Sequence, residues 1–308
     1  MRTLPHRLSV GLLGGTGFIG RHLAARLVRD GHDVTVLTRN RERHRDLLVL
    51  PTLRLVEGDA HDLPTLHAAF GGCDAIVNLA GTVTGRGRHG AASQRANAGL
   101  ATAALQACRS SGQRRYLQVS ALKAAVGAPS LFLRSNGEAD AQVVDSGLEW
   151  TILRPSVVYG PDDRFINRIA DHLGGLPVLL LPRANARMAP VFVGDVAGAV
   201  LRVLNDPRTI GKTLQLCGPK VYSIREIAEL TAKIKGRRRP IWRLTPTIGR
   251  LMARALDFAA DSPFSTDMFL SLSEHSICDS SAPGFSALGM EPVSLEAILP
   301  LYQRQNAD

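Results

Sequence analysis

The sequence predicts an α/β fold: a doubly wound parallel sheet with a smaller mixed C-terminal lobe. Three observations carry this. Short apolar or β-branched runs alternate with helical patterns from residue 8 to residue 155, as a parallel sheet covered on both faces requires. A glycine cluster separates the first run from the first helical pattern. After Pro155 the alternation breaks up, and Pro and Gly become frequent. The expected division is 1–155 and 156–308, with some later segments returning to the first unit.

Residues 8–13 (LSVGLL) read as the first strand, and 33–38 (DVTVLT), rich in β-branched residues, as the second. Between them Leu23, Leu27 and Val28 share one helical face, and Gly31 is placed to stop the helix. Strands are then expected at 53–59, 74–81, 115–120 and 149–155, with helices at 62–70, about 93–111 and 134–146. Beyond them, 177–193 reads as short strand-like pieces. Asp195 is expected to cap a helix over 196–205, and Ser223 with Glu226 forms a capping box for a helix over 224–235. A basic break at 236–240 precedes residues 246–260, where Ile248, Leu251, Met252, Ala255 and Leu256 recur at helical spacing.

Composition narrows the function classes. Hydrophobic residues make up 45% and charged residues 21% of the 308, ordinary for a soluble globular chain. Lys plus Arg number 37 against 27 for Asp plus Glu, a formal charge of +10. That suits a polyanionic ligand or an anionic membrane face, and equally a generally Arg-rich protein. No RNA-binding motif or aromatic interleaving appears, so no nucleic-acid partner is expected. Cys73, Cys108, Cys217 and Cys278 are far apart, which predicts neither a zinc site nor a disulfide framework, and a reducing compartment. The histidines lack HxxxH or HExxH spacing, so no metal is expected, and no G-x-S-x-G elbow marks a serine hydrolase. Residues 1–9 lack an apolar core for a signal peptide, and no apolar run approaches the ~20 residues of a membrane span. A cytoplasmic protein is expected, with peripheral contact at the inner face of a membrane as an alternative.

The chemistry-bearing motif is Gly14-Gly15-Thr16-Gly17-Phe18-Ile19-Gly20, which contains GxxGxxG. It follows a predicted strand, opens a helix and lies within a βαβ unit, the context that makes it a Rossmann dinucleotide loop. Gly14 permits the tight turn, Gly17 lets backbone approach the pyrophosphate, and Gly20 lets the helix pack. The free N–H groups and positive end of the helix then receive the anion. The end of the second strand selects the cofactor. An NAD site usually carries Asp or Glu there, whereas this chain has Thr38-Arg39-Asn40-Arg41. A guanidinium suits a 2′-phosphate, so NADP(H) is expected over NAD(H), through Arg39 with Arg41 or Arg43 as helper. Asp59, ending the third strand, is placed to accept from the adenine amino group. Ala80 and Gly81, ending the fourth, let the dinucleotide lie close. Ser120, Pro155 and Val157 complete the expected cofactor contacts at the carboxyl ends of later strands.

GGTGFIGRHL, VTVLTRN, VEGDAHD, NLAG, SGLEWTILRPSVVYGP and PVFVGDVAGAV stand in the order seen in the extended and atypical branch of the short-chain dehydrogenase/reductase superfamily, which this chain resembles over about residues 8–235. Arg39, RSNGEADAQVVDSGLEWTILRPSVVYGPDDRFIN and PVFVGDVAGAV carry a narrower resemblance to the group around the nucleotide-binding accessory subunit of mitochondrial complex I and its bacterial relatives. That resemblance implies bound NADPH, often without demonstrated turnover, and ties to respiratory complexes or quinone biosynthesis. Active members of the superfamily pair a serine with Tyr-x-x-x-Lys, the tyrosine being the general acid/base and the lysine lowering its pKa. Here Ser120 matches the serine, but Phe132 and Asn136 occupy the tyrosine and lysine positions. Phe132 has no ionisable proton, and Asn136 no charge to depress a neighbour's pKa. Tyr159 and Lys123 are the substitutes within the chain.

The expected function is therefore an NADP(H)-binding, atypical reductase-like protein in a structural, assembly or redox-sensing role near respiratory or quinone metabolism. Its expected partners are the dinucleotide and a protein complex or quinone-type molecule. The alternative is an active NADPH-dependent oxidoreductase on a quinone or carbonyl substrate with a non-standard proton donor; a nucleotide-sugar epimerase or dehydratase ranks behind it, since those enzymes also need the Tyr/Lys pair. For residues 237–260, packing on the smaller lobe is favoured over rest on an anionic membrane.

Overall fold

The computed structural model describes residues 7–81, 90–175, 177–237, 239–257 and 265–303. Residues 1–6, Arg238 and residues 258–260, which entered the expectations above, lie outside them.

The chain runs through β1 (Ser9–Leu13), α1 (Phe18–Arg29), β2 (Asp33–Thr38), β3 (Leu53–Glu57), α2 (Leu63–Phe70), β4 (Ala75–Asn78), α3 (Gly90–Ser110), β5 (Arg115–Val119), α4 (Leu131–Val144) and β6 (Glu149–Pro155). It continues with β7 (Val158–Tyr159), α5 (Ile166–Gly175), β8 (Leu179–Leu181), β9 (Arg187–Met188), β10 (Val191–Phe192), α6 (Val193–Leu204) and β11 (Lys212–Leu216). Last come β12 (Tyr222–Ser223), α7 (Ile224–Ile234), β13 (Ile241–Arg243), α8 (Pro246–Leu256), α9 (Thr266–Ser271) and α10 (Leu295–Gln303).

Seven parallel strands form the main sheet in the order β11-β6-β5-β4-β1-β2-β3. Strand side chains alternate between faces, so each strand feeds two cores. Val10, Leu12, Val34, Val36, Val77, Leu117 and Leu153 meet Leu23 and Leu27 of α1 and Val196 and Val200 of α6. Leu13, Leu37, Ile76, Tyr116 and Ile152 meet α2, the Ala-rich face of α3 and Val143 of α4. The switch between β1 and β4 opens a crevice at the carboxyl ends, where ligands of such sheets bind. The smaller lobe has its own core, with Ile166, Ile169, Leu181, Ile227 and Leu299 at its centre. Three two-stranded ladders, β7–β10, β9–β12 and β8–β13, join its pieces.

Several details differ from expectation. Strand β11 is not among the strands the sequence predicts; it and α6, which packs on α1, are segments beyond residue 155 that lie on the first unit. Helix α6 begins at Val193 with Phe192 as its N-cap, so Asp195 sits in the first turn rather than at the cap. Its Oδ2 instead accepts from the Val293 backbone N–H at 2.8 Å, bridging two segments of the C-terminal part. The capping box of Ser223 and Glu226 forms on α7 as the spacing predicts. Cys217 and Cys278 are joined in a disulfide, which corrects the expectation of unpaired thiols. They lie 61 residues apart in sequence, a pairing created by tertiary closure and invisible to spacing. Cys73 and Cys108 remain free and buried, and burial pushes the Cys108 thiol up to about 12. Helix α8 packs on the lobe through Gly249 and Ala253, while Ile248 (54% exposed) and Leu251 (70%) of its apolar stripe face outward.

The loop after β5 rides directly on α4. A Cβ added at Gly137 would lie 2.3 Å from the backbone carbon of Ala125. Gly137→Ala is therefore expected to lower stability by about 1–3 kcal/mol in urea unfolding, although alanine is the better helix former. Unchanged or raised stability would mean the loop is not held against α4.

Candidate functional site

The site is built on the turn from β1 into α1. Gly14 has φ +75°, open to glycine at little cost. A Cβ there would stand 2.8 Å from the Ala80 nitrogen, so the turn is seated on the end of β4. A Cβ at Gly20 would lie 2.4 Å from the Gly14 oxygen, and Gly17 N–H donates to that oxygen at 3.0 Å. Gly17 is the N-cap of α1, with no side chain bonded over the helix end and no acid in the first turn. The helix end thus offers main-chain donors uncontested by a side-chain cap. Thr16 and Phe18 stand at the same turn; the Thr16 carbonyl accepts from Arg21 Nε at 2.9 Å, and Phe18 meets His22 edge-on. Ile19 follows in the first turn, packed on the core beneath the loop. A Cβ at Gly14 or Gly20 would not fit the loop itself, so glycine is required there by the turn.

At the end of β2, Arg39 is exposed and its side chain makes no hydrogen bond or ion pair with a described residue. The neighbouring loop is held by backbone: Arg41 N–H donates to Glu57 Oε2 at 3.0 Å and Arg43 N–H to Asn40 Oδ1 at 2.9 Å. Asp59 is exposed, and one oxygen accepts from His61 N–H at 3.0 Å. The end of β4 is shaped by Asn78, whose Oδ1 accepts from Ala80 N–H while its amide donates to Gln118. Among the described residues nothing stands within 4 Å of where a Gly81 Cβ would be. Pro155 and Val157 follow at the end of β6, with their carbonyls engaged by Leu122 and Val191 N–H.

The fifth strand ends in Ser120, and the structure adds partners that the sequence did not disclose. Ser120 Oγ donates to Asp140 Oδ2 at 2.8 Å, and Arg154 Nε and Nη2 reach the same oxygen at 2.9 Å. Asp140 lies inside α4, is only 3% exposed, and its Oδ1 is buried without a hydrogen-bond partner. Desolvation pushes this carboxyl up to about 6, against the opposing pull of Arg154 and Ser120. An acid in a helix that also carries Arg134 and Glu138 ordinarily reads as part of a solvated face. The one available signal was Arg154 in a strand otherwise apolar around it, a cation that needs a partner.

Phe132 and Asn136 fall on α4 as expected, and neither supplies a proton. Asn136 turns its amide onto the Phe132 carbonyl at 2.8 Å. The Leu131 and Phe132 N–H groups donate to Asp267 of α9 at 2.5 and 3.2 Å, so α9 holds the amino end of α4. The two substitutes are also spoken for. Tyr159 is wholly buried in the core of the smaller lobe beside Phe192, its hydroxyl unpaired and its pKa raised by desolvation, so it is no donor to the cleft. Lys123, at φ +65°, donates to Asp279 Oδ1 at 3.1 Å. That aspartate, held also by Gln215, follows Cys278 directly. Lys123 therefore pins the C-terminal segment to the loop after β5.

These features define a Rossmann-type dinucleotide-binding protein. The chain belongs to the NAD(P)H-binding family, whose model matches residues 14–207, and is an atypical short-chain dehydrogenase/reductase related to the complex I subunit group. It is 30% identical to the NADH dehydrogenase [ubiquinone] 1 alpha subcomplex subunit 9 of Arabidopsis thaliana mitochondria, over 92% of this chain and 74% of that one. It is also 30% identical to a ceramide reductase of Caulobacter vibrioides, over 80% and 76%. Its fold is that of a UDP-glucose 4-epimerase from Thermotoga maritima, with TM-score 0.76, 20% identity, and 98% and 100% coverage.

Asp140 makes stability depend on pH. Its folded value, about 6, lies above its ordinary 3.8. Between these values the unfolded chain ionises while the folded one keeps its proton, so the stabilisation falls as pH rises and is lost above about 6. The stability difference, wild type minus Asp140→Asn, should fall by roughly 3 kcal/mol from about pH 3.5 to 7 in urea unfolding. A difference independent of pH would show that Asp140 ionises normally.

Proposed function

We propose that this chain holds NADP(H) at the turn between β1 and α1. Its role is structural, assembly-related or redox-sensing, near respiratory or quinone metabolism. The observation that carries this reading is a glycine-built turn opening α1 without a side-chain cap, combined with Phe132 and Asn136 in place of the superfamily's proton-transfer pair. Gly14, Thr16, Gly17, Phe18, Ile19 and Gly20 surround the pyrophosphate, and Arg39 takes the 2′-phosphate. Asp59 meets adenine through its free oxygen, Ala80 and Gly81 leave room over β4, and Ser120, Pro155 and Val157 line the nicotinamide end. The likeness to a complex I subunit supports membership of a protein complex. Arg39→Ala should weaken NADPH binding about tenfold or more, ~1.4 kcal/mol, while leaving NADH nearly unchanged. Equal losses for both nucleotides would remove Arg39 from 2′-phosphate recognition.

The alternative to packing alone for residues 237–260 is peripheral contact with an anionic membrane, which we add to this proposal. Among the described residues no helix is long and apolar enough to cross a membrane. Peripheral docking is supported by exposed apolar side chains: Trp242 and its register partner Leu180 on β13–β8, and Ile248 and Leu251 on α8. Arg237, Arg239, Arg243, Arg250 and Arg254 lie in the same stretch of sequence, which carries no acid before Asp257, itself occupied by Thr266. Basic groups near an anionic surface contribute about 1 kcal/mol each. The protein should sediment with phosphatidylglycerol-containing vesicles and not with pure phosphatidylcholine. Joint Arg250→Glu and Arg254→Glu should release it. Equal sedimentation with neutral vesicles, or none with anionic ones, would refute the electrostatic docking.

A second reading, an NADPH-dependent reductase of a carbonyl or quinone with a non-standard proton donor, is favoured by the Ser120–Asp140 contact. The likeness to a ceramide reductase supports it. When bound, the reduced nicotinamide would supply hydride. Ser120 would orient the acceptor oxygen, and the buried walls would exclude water.

A further inference from the structure

We propose that Asp140 supplies and takes back a proton through the Ser120 hydroxyl, in place of the missing tyrosine and lysine; this rests on the reductase reading. Ser120 lies at the carboxyl end of β5, and its Oγ is 2.8 Å from Asp140 Oδ2. The carboxyl has no direct access to water: the residue is 3% exposed. Ser120 is the hydroxyl that joins it to the end of the sheet where the dinucleotide loop lies. Three donors converge on Oδ2, two of them from Arg154, while Oδ1 is dry and unpaired. The charge is thus supported on one oxygen only, which leaves the protonated and ionised forms close in free energy near neutral pH.

The groups facing Asp140 come from each neighbouring element. Arg154 projects from β6, and the Tyr116 phenol from β5 acts at longer range and is uncharged. Asp267 of α9 is committed to the amino end of α4. Among the described side chains of α3, the charged one is Arg109, bound to the Ser146 carbonyl. Arg154 is therefore the one full charge in contact with the carboxyl among the described residues.

The proton balance is simple. A bound reduced nicotinamide would supply hydride to the carbonyl carbon; with Asp140 protonated the contact reverses, its O–H donating to Ser120 Oγ, so that the Ser120 O–H bond would break and a new O–H bond would form on the substrate oxygen. The Asp140 O–H bond breaks in turn and restores Ser120, leaving a carboxylate held by Arg154. Solvent then reprotonates Asp140 by the reverse route. Asp140 acts through Ser120 and is a positioning residue in this sense; Ser120 is the group that meets substrate.

The test is infrared difference spectroscopy of the full chain against Asp140→Asn, with a pH titration of the protonated-carboxyl band. The band should be present at about pH 5, absent at about pH 7 and missing from the variant. Ser120→Ala removes a donor to the carboxylate and should move the midpoint about one pH unit higher. Ser120→Thr, which keeps the hydroxyl, should return it to the wild-type value. Asp140 ionised at about pH 5, or a midpoint indifferent to Ser120→Ala, overturns the proposal. Turnover is read separately, as NADPH oxidation with the ketone corresponding to a ceramide. Expected is a rate that falls about tenfold per pH unit above the Asp140 midpoint, a limb absent from Asp140→Asn. The coupled titration with no NADPH oxidation establishes the proton link and sinks the reductase reading alone.

Discussion

The turn at Gly14 is the constraint on which the rest of the site depends. Its left-handed backbone lets β1 stop, reverse and start α1 within a few residues, and it sits against the backbone of Ala80 at the end of β4. Because β1 is flanked by β2 and β4, that contact lies at the point where the strand order switches. A side chain at Gly14 or Gly20 would force α1 away from the sheet. The helix would then lose both its dipole alignment to an anion and its packing on α6. Arg39, Asp59, Gly81 and Ser120 acquire meaning only relative to this turn, since each stands at the carboxyl end of a neighbouring strand.

The first half of the fold was legible because periodicity and punctuation agree there. Strand β2 runs over DVTVLT as read, Gly31 at φ +89° follows the end of α1, and Arg39 emerges where the alternation predicts. The later half was less legible for identifiable reasons. Strand β11 is an edge strand of sequence KTLQL with one half-solvated face, so it lacks the continuous apolar run of its partners. The Cys217–Cys278 bond depends on the C-terminal segment passing beside the end of β11, a tertiary fact. On α8 the apolar stripe was visible, but sequence alone does not tell which side of an amphipathic helix meets protein. The small residues do: Gly249 closely approaches Pro182 and Phe269, and Ala253 is buried.

The site and the exposed side of α8 are mechanically continuous. Gly249 of α8 packs on Phe269 of α9, and Asp267 of α9 holds the amino end of α4 at Leu131 and Phe132. Helix α4 in turn carries Asn136 and Asp140. A surface event at α8 therefore has a short packed route to the residues where the superfamily's acid/base pair would stand. This arrangement suits either a sensor of bound nucleotide or a reductase of membrane-borne substrates, and the choice between them turns on Asp140.

The most direct measurement is calorimetric titration of nucleotide-free protein with NADPH and with NADH, side by side. The account predicts that NADPH binds at least about tenfold tighter, ~1.4 kcal/mol, because the unpaired Arg39 guanidinium meets a 2′-phosphate. NADH binding as tight as NADPH, or no binding of either, would contradict it.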